Sequence, residues 1–239
     1  EKITLGRYVF NEDGSVNTEL SKTEPGEQLK AISISSYYFT EGLKDSSTKN
    51  THAKDIEDFK NKVTNTTHGY YIGRYEARKN GTQVTVKASD TVYNNITQPD
   101  AATVSRGMYS DSNFESDLMN SYAWDTAIVF LQKFDNRTNK ASLKPYSRQN
   151  SLNTKSDGLA SQGTNNLTDA SKQDVICNVY DMASNCFEWT TETYSDSDYR
   201  CTGRGGFYDD SGFLYTSIRG NNNTSDSNVG ISFRSLLYM

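Results

Sequence analysis

Cysteine, histidine and paired carboxylates are where chemistry would start in a chain of this size, and this one is sparing with the first two. It holds three cysteines, Cys177, Cys186 and Cys201, and two histidines, His52 and His68. The cysteine spacing has no zinc signature, and at most one disulfide could form. Two histidines, neither beside a cysteine cluster, argue against a zinc or non-haem iron centre. Neither His52 nor His68 stands in a recognisable nucleophile context. Carboxylates are the remaining option. Asp209 or Asp210 could work with Glu188 or Glu192 as an acid/base pair of the glycosidase kind, provided the two face each other across a substrate. Spacing along the chain leaves that open, with solvated or turn-forming carboxylates as the plainer alternative.

The C-terminal quarter is better equipped to bind than to react. About half of residues 191–230 are Asn, Asp, Ser or Tyr, with Phe207, Phe213 and Leu214 among them. Aromatic rings supply contact area at low entropic cost, and short polar side chains supply adaptable hydrogen bonds. The candidate contact residues are Phe207, Tyr208, Asp209, Asp210, Phe213, Tyr215, Ser217, Asn221, Asn222 and Asn223. The stretch GGFYDDSGFLYTS (205–217) alternates as a strand or loop presenting side chains outward would.

The elements that must hold such a surface are only partly visible. The chain has 239 residues, is 34% hydrophobic and carries 12% aromatics, including sixteen Tyr and ten Phe. That many rings argue against disorder, while the modest apolar share predicts one good core with long polar connections. The spacing predicts strands at ITLGRYVF (3–10) and ISISSYYF (32–39), and a helix over DIEDFKNKV (55–63) with Ile56, Phe59 and Val63 on one face. GYYIGRYEARKNG (69–81) ends in an Asn-Gly turn that would return as a hairpin through VTVKA. The clearest helix is NSYAWDTAIVFLQKF (120–134), with Trp124, Ala127, Ile128, Leu131 and Phe134 on its apolar face and Asn120 or Ser121 as cap. Two such helices among short strands predict an α+β domain spanning 1–239, in which 1–68 is the less defined part. Residues 135–175 read as a long polar connection.

The net charge is -5 with no basic stripe, which argues against nucleic acid. No apolar run of about 18 residues is present, so membrane insertion is not expected. The chain begins at Glu1 rather than Met, which leaves room for an upstream signal or domain.

CNVYDMASNCFEWTTET (177–193), RGGFY (204–208), GISFR (230–234) and YYIGRYEA (70–77) form an ordered set. Together with the helix around Trp124, this set resembles the formylglycine-generating enzyme, or sulfatase-modifying-factor, family, with its GNVWEWT, RGGSW and GFR blocks. The likeness spans roughly 70–239. It implies a C-type-lectin-like fold with two main helices, a short twisted antiparallel sheet and much coil. Trp189 and Phe187 would anchor the polar segment to the core. Gly205 and Gly206 would allow a close backbone approach, and Arg204 and Arg234 would hold loops. The family's catalytic cysteine pair falls here on Asp210 and Tyr215, which cannot replace thiolates for copper binding or thiol exchange. The chain is therefore expected not to be an enzyme of that kind. The two histidines do not supply the cluster used by the family's iron branch.

The chain also resembles the retroelement-diversified variable proteins of phages and bacteria, which share this fold and vary Asn-derived codons at exposed positions. That likeness implies recognition of a protein or glycan ligand, on a phage particle or bacterial cell surface. The family's GN-x-x-E position implies calcium at Asn185 and Glu188, which are acceptable hard-oxygen ligands.

Overall fold

The computed structural model describes residues 2–31, 37–41, 51–81, 83–109, 113–137, 145–149, 167–169, 171, 173–194, 200–208 and 214–239. Asp209, Asp210 and Phe213, residues 32–36 of the second expected strand, and most of the polar connection lie outside them.

Among the described residues the fold is mixed, with three α-helices and several small, mostly antiparallel sheets. The N-terminal half supplies β1 (Gln28–Lys30), β2 (Tyr38–Thr40), α1 (Ile56–Asn61), β3 (Tyr71–Ile72), β4 (Arg78–Asn80) and β5 (Gln83–Thr85). Next come α2 (Gln98–Arg106), β6 (Glu115–Leu118) and α3 (Ser121–Lys133). The C-terminal part holds β7 (Val175–Ile176), β8 (Val179–Tyr180), β9 (Phe187–Tyr194) and β10 (Arg200–Arg204). It ends with β11 (Arg219–Asn223), β12 (Ile231–Phe233) and β13 (Ser235–Tyr238).

The main sheet runs β1-β2-β9-β10-β11, and β12 pairs in parallel with β9. β9 is buried along its whole length, as a strand with partners on several sides must be. β3, β13 and β6 make a second sheet of three strands, whose middle strand carries the chain end.

Helix α3 forms where the apolar spacing places it. The Asn120 side chain accepts from the Ala123 N–H at 2.9 Å, satisfying one of the donors a helix start leaves unpaired. Tyr122, Trp124, Ile128 and Leu131 are fully buried, and they pack in one cluster with Phe59 and Val63 of the α1 region. The α1 helix is capped by Asp55 and runs on into a π-helical turn, Lys62–Thr66. The hairpin also forms: β4 pairs with β5 with Asn80 opposite Gln83, so the turn begins one residue later than expected, at Gly81, which has φ +62°.

Two elements differ from the sequence expectation. Residues 3–10 make only isolated bridges, Arg7 with Lys22 and Phe10 with Val16. Side chains of α3 take their backbone donors instead: Gly6 N donates to Thr126 Oγ1 at 3.1 Å and Tyr8 N to Asp125 Oδ2 at 2.9 Å. The second difference is α2, capped by Thr97 with Asp100 in its first turn. Its buried residues are Gln98, Ala101, Ala102 and Ser105. Small and polar groups on the inner face leave no hydrophobic periodicity to detect.

Phe187 shows how tightly the main sheet is fitted. Gly203 and Gly220 are cross-strand partners in β10 and β11. A Cβ built on either would fall 2.3 Å from the Phe187 ring. The glycine pair thus forms the slot that receives this side chain. Overpacking of this kind costs about 1–3 kcal/mol, so Gly203→Ala should lower the urea midpoint accordingly. The same change in a Phe187→Ala background should cost almost nothing, because the clash is pairwise. Equal costs in both backgrounds would contradict the slot.

Candidate functional site

Beneath the C-terminal segment lies a fully buried ionic network drawn from five parts of the chain. Arg7 donates to Glu192 Oε1 at 2.5 Å, and to the carbonyls of Glu27 and Phe39 at 2.9 Å each. Arg219 grips both Glu192 oxygens at 3.1 and 3.0 Å, and also reaches Asp125 Oδ2. Arg204 meets Asp125 Oδ1 at 2.5 Å and donates to the carbonyls of Ile218 at 2.6 Å and Ser217 at 3.4 Å. Three guanidiniums thus face two carboxylates with no access to water. Burial resists the ionisation of Glu192, but Arg219, Arg7 and Arg204 outweigh it and take the carboxyl down to about 2. Burial, then repulsion from Arg219, lowers the Arg204 value, yet an arginine stays charged at any working pH.

A second network surrounds Arg234. Its guanidinium holds Glu188 through both oxygens, at 3.1 and 2.8 Å, and donates to the carbonyls of Gly73 at 2.6 Å and Tyr180 at 2.8 Å. Glu76, Asp174 and Asp181 are buried around it. Asp174 accepts from the Tyr146 hydroxyl at 2.8 Å, Ala183 N at 2.7 Å and Ser184 Oγ at 2.9 Å. Asp181 accepts from Ser171 N at 2.8 Å. Asn185 donates to Glu76 at 2.7 Å and to the Leu167 carbonyl at 3.0 Å. Four carboxylates here face one guanidinium. Burial, reinforced by Asp181 and Glu188, pushes Glu76 well above the ordinary carboxylate range.

At the expected calcium position, both Glu188 oxygens are taken by Arg234, and the Asn185 amide is engaged with Glu76. Glu76 Oε2 and Asn185 Oδ1 are buried without a protein partner among the described residues. Among the described residues, no group of three or more His, Cys, Asp or Glu side chains is placed to hold a metal ion. Of the expected acid/base partners, Glu188 and Glu192 are buried and each bound to arginine, and Asp209 and Asp210 lie outside the described residues. All three cysteines are free thiols, with Cys186 and Cys201 buried.

The expected contact residues divide into groups. Asn221 and Asn223 are exposed on β11, the edge strand of the main sheet. Asn222 is half-buried, and its Oδ1 is enclosed. Tyr215 is half-buried beneath the Arg148 guanidinium, 4.8 Å from the ring centre. Ser217 is half-buried, and its backbone N–H donates to the Ser147 carbonyl. Phe207 is half-buried against the second core cluster. Tyr208 is only 7% exposed, with Phe207 edge-on to its ring. It is a packing residue, which corrects its place among the contacts. Asp209, Asp210 and Phe213 lie outside the described residues.

Sequence reasoning missed Asp125, Arg7, Arg219 and Glu41. Asp125 had a signal, as the one charge in the middle of an otherwise apolar helical run. The expected anchors do pack. Trp189 is fully buried and Phe187 nearly so. Gly205, at φ +82°, lies where a Cβ would meet the Met182 carbonyl at 2.4 Å.

No protein-family profile matches the chain, and no curated protein does. Among solved structures, PvdO from Pseudomonas aeruginosa superposes with a TM-score of 0.45 at 11% identity, over 91% of this chain and 100% of its own. CarF superposes with a TM-score of 0.43 at 18% identity, over 61% of this chain and 67% of its own. Both likenesses are distant.

Glu41 gives the networks a measurable pH dependence. Its carboxylate caps α3 by accepting from Ser121 N and Oγ at 2.9 Å each, and it accepts from Thr191 Oγ1 at 2.8 Å. Burial is the main cause that raises it from 4.5 to about 7, with repulsion from Glu192 adding to it. A raised carboxyl contributes stability that is complete below its unfolded value and lost as pH rises through its folded one. The loss should reach about 3 kcal/mol between pH 4 and pH 8. Glu192, held low, acts on the opposite side and loses its contribution as pH falls toward 2. Urea midpoints at pH 5 and pH 8 should therefore fall further for the parent than for Glu41→Gln. Equal falls would contradict this assignment.

Proposed function

We propose that the chain is a non-catalytic recognition module, of lectin-like fold and the formylglycine-generating-enzyme type, that binds a protein or surface glycan through its C-terminal segment. The observation that carries this reading is the pairing of exposed Asn221 and Asn223 with a frame of buried arginines. Arg219 begins the same strand and is locked to Asp125 and Glu192. Arg204 fixes the carbonyls of Ser217 and Ile218 just before it. Trp124 Nε1 donates to the Thr216 carbonyl at 2.9 Å. Side chains set on such a frame lose little freedom on binding, which favours affinity. Because the frame does not depend on them, they can also change without cost to the fold. That tolerance is what diversification by a retroelement requires.

A polar ligand is favoured by the neighbouring surface. A cavity of about 550 Å³ is lined by Lys79, Tyr93, Asn94, Asn95 and Asp100, among others. It is tied to the turn after β11, where Asn94 donates to the Val229 carbonyl and Asn95 N to that of Asn228. Amides, a carboxylate and one ring face suit sugar hydroxyls better than an apolar ligand. The enzyme alternative loses its support where Glu188 and Glu192 are sealed inside.

The test uses an immobilised glycan array and intact bacterial cells as probes. Asn221→Arg and Asn223→Arg should each reduce binding at least about tenfold, while the melting temperature stays within about 2 °C because surface changes cost little. Binding that survives both substitutions unchanged would overturn the proposal.

A further inference from the structure

We propose that a groove between the N-terminal segment, the π-helical turn and α3 binds a free single-chain alkyl carboxylate, a ligand of the fatty-acid class. The cavity measures about 740 Å³, within the roughly 300–1,000 Å³ of small-molecule sites. Among the described residues it shares no lining residue with the C-terminal segment 205–223, so the inference goes beyond the recognition surface proposed above.

The walls are apolar and do more than complete the core. Phe130 and Phe134 remain 42% and 48% exposed on α3, with ring centres 4.9 Å apart. The periodicity of α3 places Phe134 on the core side, yet here it lines an open groove with Val63, Ile72 and Leu131. Exposed aromatic surface gathered in one concave place marks a binding site rather than a packing defect.

The polar groups deeper in the groove are already satisfied. The Tyr70 hydroxyl donates to the Ala123 carbonyl at 2.8 Å. Thr126 Oγ1 accepts from Gly6 N at 3.1 Å and donates to the Gly6 carbonyl at 3.3 Å. An occupant is asked for no hydrogen bonds there, and a polar one would lose its own to water without replacement.

Charge at the rim has one sign. Lys2 and His68 line the groove, and among the described residues no Asp or Glu does, although the chain carries 30 acidic residues and a net charge of -5. Lys2 has no ion-pair partner among the described residues. His68 is tied through Nδ1 to the Thr64 carbonyl at 2.9 Å, so Lys2 is the rim's fixed positive charge. An apolar body with one anionic end meets both conditions. A neutral chain leaves Lys2 unanswered, and a cationic one is repelled.

Isothermal titration of the whole chain with dodecanoate, dodecan-1-ol and dodecyltrimethylammonium, each below its micellar concentration, decides the matter. Dodecanoate should bind one to one, and at least about tenfold more tightly than the trimethylammonium compound. Phe130→Ser and Phe134→Ser, both at exposed positions, should each weaken it at least about tenfold. Lys2→Glu should weaken it about fivefold, as an exposed attraction becomes a repulsion. Asn221→Arg should leave it unchanged, which separates this site from the recognition surface. The proposal is overturned by absence of dodecanoate binding, or by equal binding of all three compounds. Binding untouched by both phenylalanine changes would also overturn it, as would co-sedimentation with phosphatidylglycerol vesicles in place of monomer uptake.

Discussion

Two carboxylates in the interior, Asp125 and Glu192, govern how the rest of this molecule is assembled. Each ion taken out of water costs several kcal/mol, and only close, well-directed partners return that cost. The partners come from separate places: Arg7 from the N-terminal segment, Arg204 from β10 and Arg219 from β11. The acids themselves sit on α3 and β9. The network as a whole is satisfied only when the N-terminal segment, the helix and the main sheet have come together. A chain with a modest apolar share gains specificity this way, because an arrangement with one arm displaced would leave a charge buried and unpaired.

The same network explains why so little regular structure is needed around it. Arginine side chains do much of the work that backbone ladders would do elsewhere. Arg7 gathers the carbonyls of Glu27 and Phe39, Arg204 those of Ser217 and Ile218, and Arg234 those of Gly73 and Tyr180. A guanidinium offers five donors in a rigid fork. It can therefore fix two irregular segments at once while pairing with an acid. Coil held in this manner is positioned without being a strand.

These relations explain what could be read from the residues and what could not. α3, α1 and the β4–β5 hairpin were legible because each rests on a local rule: apolar spacing, a capping Asn or Asp, an Asn-Gly turn. The roles of Trp189, Phe187 and Gly205 were legible through the spacing of the motif blocks. α2 was not, because alanines, a glutamine and a serine fill its inner face. Residues 3–10 misled because their apolar alternation is strand-like, while Gly6 and Tyr8 donate to side chains more than a hundred residues away on α3. Glu188 and Glu192 looked free for chemistry because nothing in their local sequence announces Arg234 or Arg219. Long-range ion pairing leaves no periodic trace. Tyr208 was placed outward by composition alone, and composition does not distinguish a displayed tyrosine from a packed one.

The two ionic networks are opposite in balance, and that difference divides the behaviour of the fold. Around Asp125 and Glu192 the guanidiniums outnumber the acids, and each acid is paired with two or more of them beneath the segment leading into β11. Around Arg234 the acids outnumber the guanidinium four to one. Burial and mutual repulsion raise Glu76, while burial against the pull of Arg234 still leaves Glu188 raised. The turns at 174–188 are therefore tied by hydrogen bonds from Tyr146, Ala183, Ser184 and Ser171 as well as by Arg234, whereas the β10–β11 frame is tied by opposite charges that meet directly.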